Sequence, residues 1–372
     1  MRGPRVRPIV IAAGGTGGHF FPAEALAAAL IARGERVVLI TDARSSARHS
    51  AVFGGEIHVI AGAGVAGRSF RRAAAGLAAI GTGAIAARRI LAQLSPSAVI
   101  GFGGYPAVAP MLAARSLRHR PVLILHDQNA VLGKANALLA RLADRIALSF
   151  PNTDGIPAGS NAVLTGNPVR PAIAAHEKAP YSQPSQKINL LVLGGSLGAS
   201  IFATLIPDAL ARLPEPLRSR IELRMQCPAT LLEKARSALA ACGVAATLSP
   251  FFNDVAGMLV ESHLVIARAG GSTVAELAVV GRPAVLIPLT INLDQRANAE
   301  ALVTAGGAIR VEQTEGELKL AHVLESLLSN PGRLAIMAEA AGRMGIVDAA
   351  LRLADLTSAA IAAAPRFAGV KP

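Results

Sequence analysis

Three times in this chain a short apolar run ends in clustered glycines and continues into a helix-forming stretch. Val10-Ile11-Ala12-Ala13 leads into Gly14-Gly15-Thr16-Gly17-Gly18-His19. Leu191-Val192-Leu193 leads into Gly194-Gly195-Ser196-Leu197-Gly198-Ala199. Leu264-Val265-Ile266-Ala267 leads into Arg268-Ala269-Gly270-Gly271-Ser272-Thr273. A strand buried on both faces reads as an unbroken apolar run, and parallel sheets are built of such strands. Glycine backbone at the start of a helix presents N–H groups and the positive end of the helix dipole, which together stabilise an anion. The pattern therefore predicts an α/β chain with several anion-binding turns.

The chain has 372 residues, enough for two domains with cores of their own. In the first half Val6–Ala13, Arg36–Thr41, Glu56–Ile60, Ser97–Phe102, Pro121–Leu125, Arg145–Leu148 and Ala162–Thr165 read as strands. A helix Ala23–Ala32 follows Pro22 and ends at Gly34 as a C′ residue, and another spans Leu132–Arg141. Gly166-Asn167-Pro168-Val169-Arg170-Pro171 and the polar stretch 174–187 break the pattern and mark a boundary. The second half restarts with strands at Ile188–Leu193, Ile221–Gln226, Ala246, Val265 and Ala284–Leu289. Its helices are expected at Leu205–Leu213, 229–241, Val274–Val280 with Gly281 as C′, 294–304, 317–328 and 331–362. The alternation predicts a doubly wound parallel sheet in each half.

Aromatic residues are only 3% and tryptophan is absent, so the core must be Ala, Leu, Val and Ile, and base-stacking platforms are scarce. The formal charge of +13 then points to phosphates on a small or lipid-linked substrate, and not to nucleic acid. Residues 57–126 hold eight arginines and no Asp or Glu. Such a basic, apolar segment suits an anionic bilayer surface, or equally a packed helix with solvated arginines. Two cysteines, Cys227 and Cys242, predict a reducing compartment without disulfides. CxxC, HExxH and DxD are all absent, so no metal site is expected. The apolar run Ile9–Ala13 is too short for a secretory signal, which predicts a cytoplasmic protein.

The first turn fails the G-x-G-x-x-G dinucleotide pattern, because Phe20 stands where the last glycine belongs, although Asp42 closes the second strand as a ribose-binding acid would. His19, at the mouth of that turn, is either a general base toward a sugar hydroxyl or a locally packed histidine. Thr273-Val274-Ala275-Glu276 is either a capping box or a ribose site with Glu276 accepting from the diol. Arg268 would face a phosphate or an acid, and Gln295 offers a donor and an acceptor to a sugar.

Taken in order, the loops resemble one family, the MurG-type glycosyltransferases of peptidoglycan synthesis. The matching segments are Gly14 to His19 with Phe21-Pro22, Gly101-Phe102-Gly103-Gly104-Tyr105-Pro106, His126-Asp127-Gln128-Asn129, Gly166 to Arg170, Gly194 to Ala199, and Arg268 to Glu276. The resemblance implies a GT-B fold, two Rossmann-like domains facing a cleft. The implied ranges are 1–167 for the acceptor and the membrane, 168–345 for UDP-GlcNAc, and a helix 346–372 returning to the first domain. It implies transfer of N-acetylglucosamine from UDP-GlcNAc to a lipid-linked muramoyl-pentapeptide at the cytoplasmic face of the inner membrane, without a cofactor. Implied partners are the two substrates, an anionic membrane surface and other proteins of cell-wall synthesis. By motif position, Thr16, Gly17 and Gly18 line the cleft, and Arg170 and Ser196 meet the diphosphate. Phe252 lies by the uracil, and Gly271, Ser272, Thr273, Val274, Ala275 and Glu276 hold the nucleotide. Asn129 and Gln295 hold the sugar, while His19, Tyr105 and His126 face the acceptor. His19 is the implied base, with Asp127 as the alternative. Asp127 stands where the family has Glu, and Leu197 where it often has Gln. The rival readings are a UDP-GlcNAc 2-epimerase on the same fold, an NAD-dependent oxidoreductase, and a non-catalytic binder of anionic lipid.

Overall fold

The computed structural model describes residues 7–14, 17–43, 51–60, 70–195 and 199–364, with backbone alone at 51 and 70–78. The chain forms two compact domains: Met1–Arg170 with Asp348–Pro372, and Pro171–Val347. Both changes of domain fall a few residues later than 167 and 345.

In the N-terminal domain the strands are β1 (Ile9–Ala12), β2 (Val37–Asp42), β3 (Ile57–Ile60), β4 (Ala98–Gly101), β5 (Val122–Asp127), β6 (Arg145–Leu148) and β7 (Ala162–Leu164). The sheet order is 3-2-1-4-5-6-7 and every pairing is parallel. Its helices are α1 (Gly17–Ala32), α2 (Phe70–Leu94), α3 (Gly104–Arg115) and α4 (Lys134–Leu139). Successive strand residues point to opposite faces, so each strand feeds two cores. Ile9, Ile11 and Leu39 pack with Leu26 and Leu30 of α1, while Val10, Val38 and Val99 pack with Leu91 of α2 and Met111 of α3.

The C-terminal domain opens with the short α5 (Pro171–Ala174). Its strands are β8 (Ile188–Leu193), β9 (Ile221–Gln226), β10 (Ala245–Ser249), β11 (Leu264–Ala267), β12 (Ala284–Leu286) and β13 (Ala308–Arg310). The helices are α6 (Phe202–Ala211), α7 (Glu215–Arg218), α8 (Leu232–Ala241), α9 (Val255–Glu261), α10 (Gly271–Val280), α11 (Leu293–Thr304), α12 (Gly316–Leu328) and α13 (Pro331–Met344). The sheet order 10-9-8-11-12-13 repeats the first six positions of the N-terminal sheet, again all parallel. A last helix, α14 (Ala349–Ala362), belongs to the N-terminal domain, where Leu353 and Ala354 join the core beside α1 and Asp355 pairs with Arg33 at 2.8 Å.

Gly34 and Gly281 both end their helices with φ near +80° and +69° and the paired backbone bonds of a Schellman motif. Two expectations need correction. The first helix starts at Gly17, not Ala23, and Pro22 lies inside it. The glycines of the turn are themselves its first residues. The helix expected over 331–362 is two, broken at Gly345, where an added Cβ would come within 2.6 Å of the Ala278 carbonyl oxygen on α10. Helical periodicity runs through that site unbroken, and only the close packing interrupts it. Strand β13 escapes pattern reading because it has three residues behind Gly306-Gly307.

Candidate active site

In a doubly wound sheet, ligands bind beyond the carboxyl ends of the strands, where the strand order reverses. Here those points lie between β1 and β4 in one domain and between β8 and β11 in the other. All three glycine turns leave strands that border these points.

At the N-terminal switch point, Gly14 is pressed between Thr41 and Pro106, since an added Cβ would lie 3.0 Å from each. His19 then falls in the first turn of α1. Its ring lies along the turn that starts α3. Gly103 and Gly104 both have positive φ, and Cβ atoms there would approach the ring to 3.2 and 3.4 Å. Gln128 approaches from β5, its Nε2 3.3 Å from His19 Nδ1. Tyr105, in the first turn of α3, is 37% exposed. Gly17 starts α1.

The two residues before Gln128 point inward. His126 is 1% exposed, with Nε2 3.3 Å from the Gly166 carbonyl oxygen and its ring 5.0 Å from Phe102. Burial, reinforced by His19, pushes its pKa down to about 4, so it is neutral at physiological pH. Asp127 is 2% exposed. One oxygen accepts the Asn129 N–H at 2.9 Å, and the other accepts the Gly133 N–H at 2.8 Å and Asn136 Nδ2 at 3.1 Å. His126 is expected at the acceptor and Asp127 as the alternative base, and here both side chains are buried and bonded to the backbone. Both side chains are turned from solvent and hold the loop that carries the half-buried Gln128. Asn129 is 8% exposed, and Arg170 lies over the Phe21 ring at 5.1 Å. Among the described residues, His126 Nδ1, Asn136 Oδ1 and both amide atoms of Asn167 are buried without a protein hydrogen-bond partner.

In the C-terminal domain Gln226 ties three strand ends together, accepting the Gly194 N–H at 3.2 Å and donating to the Pro250 carbonyl at 3.3 Å. Gly195 takes φ +81°. The β11 turn leads into α10 with Gly270 as N-cap and Gly271 as the first helical residue. The capping-box reading of Thr273 and Glu276 is thereby overturned, because Thr273 already sits inside the helix. Ser272 and Thr273 lie one turn before the buried Glu276 on the same helical face, so two hydroxyls and a carboxylate rise together near the helix N-terminus. Ala275 is half-buried on the same turn. Val274 is fully buried and its N–H bonds to Gly270, so it offers a ligand neither side chain nor amide.

Arg268 does not face outward either. It donates to the carbonyls of Ile287 and Pro288 and to Gln313 at 2.7 Å, and it lies over the Phe202 ring. It clamps the β11 and β12 ends. Gln295 accepts the Leu289 N–H at 2.9 Å, and the buried Asn298 donates to Ala269 at 3.1 Å, so α11 is fastened to both neighbouring loops. Phe252 is buried, while Phe251 beside it is 69% exposed. Thr16 and Ser196 lie outside the described residues. Sequence reading passed over Gln128, Gln226 and Asn298. Their only signal is a polar side chain placed just past a strand or in a helix that returns to one.

Residues 9–148 match the N-terminal domain of glycosyltransferase family 28, and residues 189–353 match its C-terminal domain. The UDP-N-acetylglucosamine–N-acetylmuramyl-(pentapeptide) pyrophosphoryl-undecaprenol N-acetylglucosamine transferase of Acidiphilium cryptum is 59% identical over 364 residues, 97% of this chain and 99% of that one. The protein of the same name from Granulibacter bethesdensis is 51% identical over 94% of this chain and 92% of its own. The crystal structure of Acinetobacter baumannii MurG superposes with a TM-score of 0.76 at 30% identity, covering 94% of this chain and 99% of that one. The two family 28 matches make the chain a glycosyltransferase, and its two parallel sheets of this order, with glycine turns at both switch points, have the GT-B fold. Within that class the chain belongs to the MurG family of UDP-N-acetylglucosamine–N-acetylmuramyl-(pentapeptide) pyrophosphoryl-undecaprenol N-acetylglucosamine transferases.

Proposed function

We propose that this chain transfers N-acetylglucosamine from UDP-GlcNAc to the 4-hydroxyl of a lipid-linked N-acetylmuramoyl-pentapeptide, forming a β-linkage in peptidoglycan synthesis. The observation that carries the reading is 59% identity, over nearly the full length of both chains, to a transferase named for these substrates.

The C-terminal domain takes UDP-GlcNAc. The diphosphate meets the N-terminal amides of α10, with Ser196, and Glu276 accepts from the ribose hydroxyls. Gln295 holds the sugar hydroxyls, and Phe252 borders the uracil. The N-terminal domain takes the acceptor at His19 and Tyr105. His19 removes the proton of the attacking hydroxyl as its oxygen bonds to C1 of the sugar. The bond from C1 to the diphosphate oxygen breaks, and UDP leaves with the electron pair from the opposite face. Helix amides aimed at the diphosphate stabilise the charge that develops there.

Membrane contact is peripheral in this reading, at the cytoplasmic face. Among the described residues no helix is long and apolar enough to cross a membrane. On α2, Ile85 is 58% exposed beside the exposed Arg88 and Arg89, and Arg88 donates to Ser116, next to the exposed Arg115. A basic face with an apolar tip suits anionic headgroups.

The test is transfer of labelled N-acetylglucosamine to a lipid-linked muramoyl-pentapeptide analogue, with and without chelator, beside an acceptor-free control. Label appearing in the lipid only when acceptor is present supports the reading. Consumption of UDP-GlcNAc without acceptor replaces it with an epimerase or a hydrolase.

A further inference from the structure

We infer that Gln226 is a positioning residue that fixes the uracil loop and the diphosphate turn of the C-terminal domain relative to each other, so that one nucleoside diphosphate engages both without having to order either. The inference rests on the reading of that domain as the UDP-GlcNAc site.

Gln226 is the last residue of β9, which lies between β8 and β10 in the sheet. Both ladders run out at its level. Pairing with β8 stops at Val192 opposite Met225, and pairing with β10 stops at Ser249 opposite Gln226. Loop follows on either side, the Gly194 turn after β8 and Pro250-Phe251-Phe252 after β10. The Gln226 side chain carries the cross-linking on where the main chain stops. Its Oε1 accepts the Gly194 N–H at 3.2 Å, and its Nε2 donates to the Pro250 carbonyl at 3.3 Å. The two ends of a carboxamide are chemically unlike, so a half-turn would set N–H against N–H and oxygen against oxygen. Only one orientation bonds to both partners, and both loops are thereby referred to the same group.

The loops differ in what else holds them. Ser249 Oγ accepts the Phe251 N–H at 3.3 Å and donates to the Phe251 carbonyl at 2.6 Å, and the Cys227 N–H bonds to the Ser249 carbonyl at 2.9 Å. The uracil loop therefore keeps its shape without Gln226. Gly194 and Gly195 have no side chain, and Gly195 takes φ +81°. Glycine backbone has the most conformational freedom to lose, so the tie at Gly194 matters more to this turn than any single bond does to the other loop. A ligand that spans two sites already fixed relative to each other avoids the cost of ordering them. A nucleoside alone, seated on the uracil loop, does not draw on that benefit. Gln226 thus acts on the whole nucleotide and not on its base.

The experiment measures binding of UDP-GlcNAc and of uridine, with steady-state kinetics, in the native full-length chain, Gln226→Met and Gln226→Asn. Met matches the length and removes both polar ends. Asn keeps them but is one methylene short of reaching both loops. Both variants bind UDP-GlcNAc about tenfold more weakly, the size expected when one or two ordinary hydrogen bonds are lost. Both bind uridine within about twofold of the native chain, since the benefit of fixed spacing belongs to the spanning ligand. The KM for UDP-GlcNAc rises in step, and kcat holds within about twofold because the turn is ordered once the donor saturates it. Equal weakening of the two ligands is a general disturbance of the domain and overturns the inference, as does native UDP-GlcNAc affinity in either variant. The native chain tests the reading beneath. If it is folded and binds no UDP-GlcNAc, the donor-site reading fails and this inference with it. If it binds and both variants match it, only the role of Gln226 is lost.

Discussion

The residues of the site divide by what their hydrogen bonds already do. Asp127 is read from sequence as an alternative base, His126 as an acceptor contact and Arg268 as a charge facing a phosphate or an acid, yet each is buried and engaged with backbone. Gly18 is the opposite case, a residue with no side chain whose emptiness accommodates the Gln128 amide. Gly18→Ala forces that amide to move by a few tenths of an ångström. Its kcat should fall more than tenfold while calorimetry shows unchanged UDP-GlcNAc binding, since misplacement near the reacting atoms is felt mainly in the chemical step. His126 makes a separate prediction about stability. Its folded pKa, about 4, lies below the ordinary histidine value of 6.5, so the unfolded chain binds the extra proton first. The stabilisation it provides is complete above about pH 6.5 and is lost as pH falls toward about 4. His263, also lowered by burial, adds a slope of the same sign. The melting temperature should therefore drop between pH 7 and 5, and less steeply in His126→Gln. Equal slopes for the two proteins would refute the assignment.

Among the elements, α10 carries the nucleotide side of the proposal, and two contacts at its far end set where it lies. Gly345 lets α13 stop against it. Adding a methyl group 2.6 Å from the Ala278 carbonyl in Gly345→Ala should cost about 1–3 kcal/mol, measured by urea unfolding. The same variant should weaken UDP binding, because the helix must shift. Arg282 is fully buried and has no acidic partner among its hydrogen bonds. It donates to six carbonyls: those of Leu259 and Val260 at the end of α9, Val280 and Gly281 at the end of α10, and Ala179 and Pro180 in the segment entering the domain. One guanidinium thus satisfies the last carbonyls of two helices, where a cation is also favoured by the dipole. Arg282→Ala should destabilise the domain by about 3 kcal/mol or more, since buried carbonyls lose their donors. Arg282→Lys should recover little of this, having three donors on a compact head instead of a five-donor fork.

On the scale of the whole molecule, one architecture is used twice, and the N-terminal copy also carries the basic face of α2 and α3. If that face meets a bilayer, each arginine near the surface contributes about 1 kcal/mol. Arg88→Ser and Arg89→Ser should each weaken binding to anionic vesicles about fivefold, additively, with the native affinity falling as salt is raised. Transfer to a short-chain, water-soluble acceptor should be unaffected in both variants. Vesicle binding that ignores both charge and salt would remove the patch from the account.

The sequence by itself determined the doubly wound pattern, the position of the three glycine turns and the family. These features are written in local periodicity and in short motifs, which survive reading along a line. Only the tertiary structure decided which polar residues are clamps, that Gly345 ends one helix and frees the next, and that Gln128 meets His19. The physical reason is that burial and side-chain partnership depend on surfaces brought together from distant segments. Asp127 and Gln128 are neighbours in the chain and alike in polarity. One is spent holding its own loop, and the other reaches a ring that follows a strand two places away in the sheet.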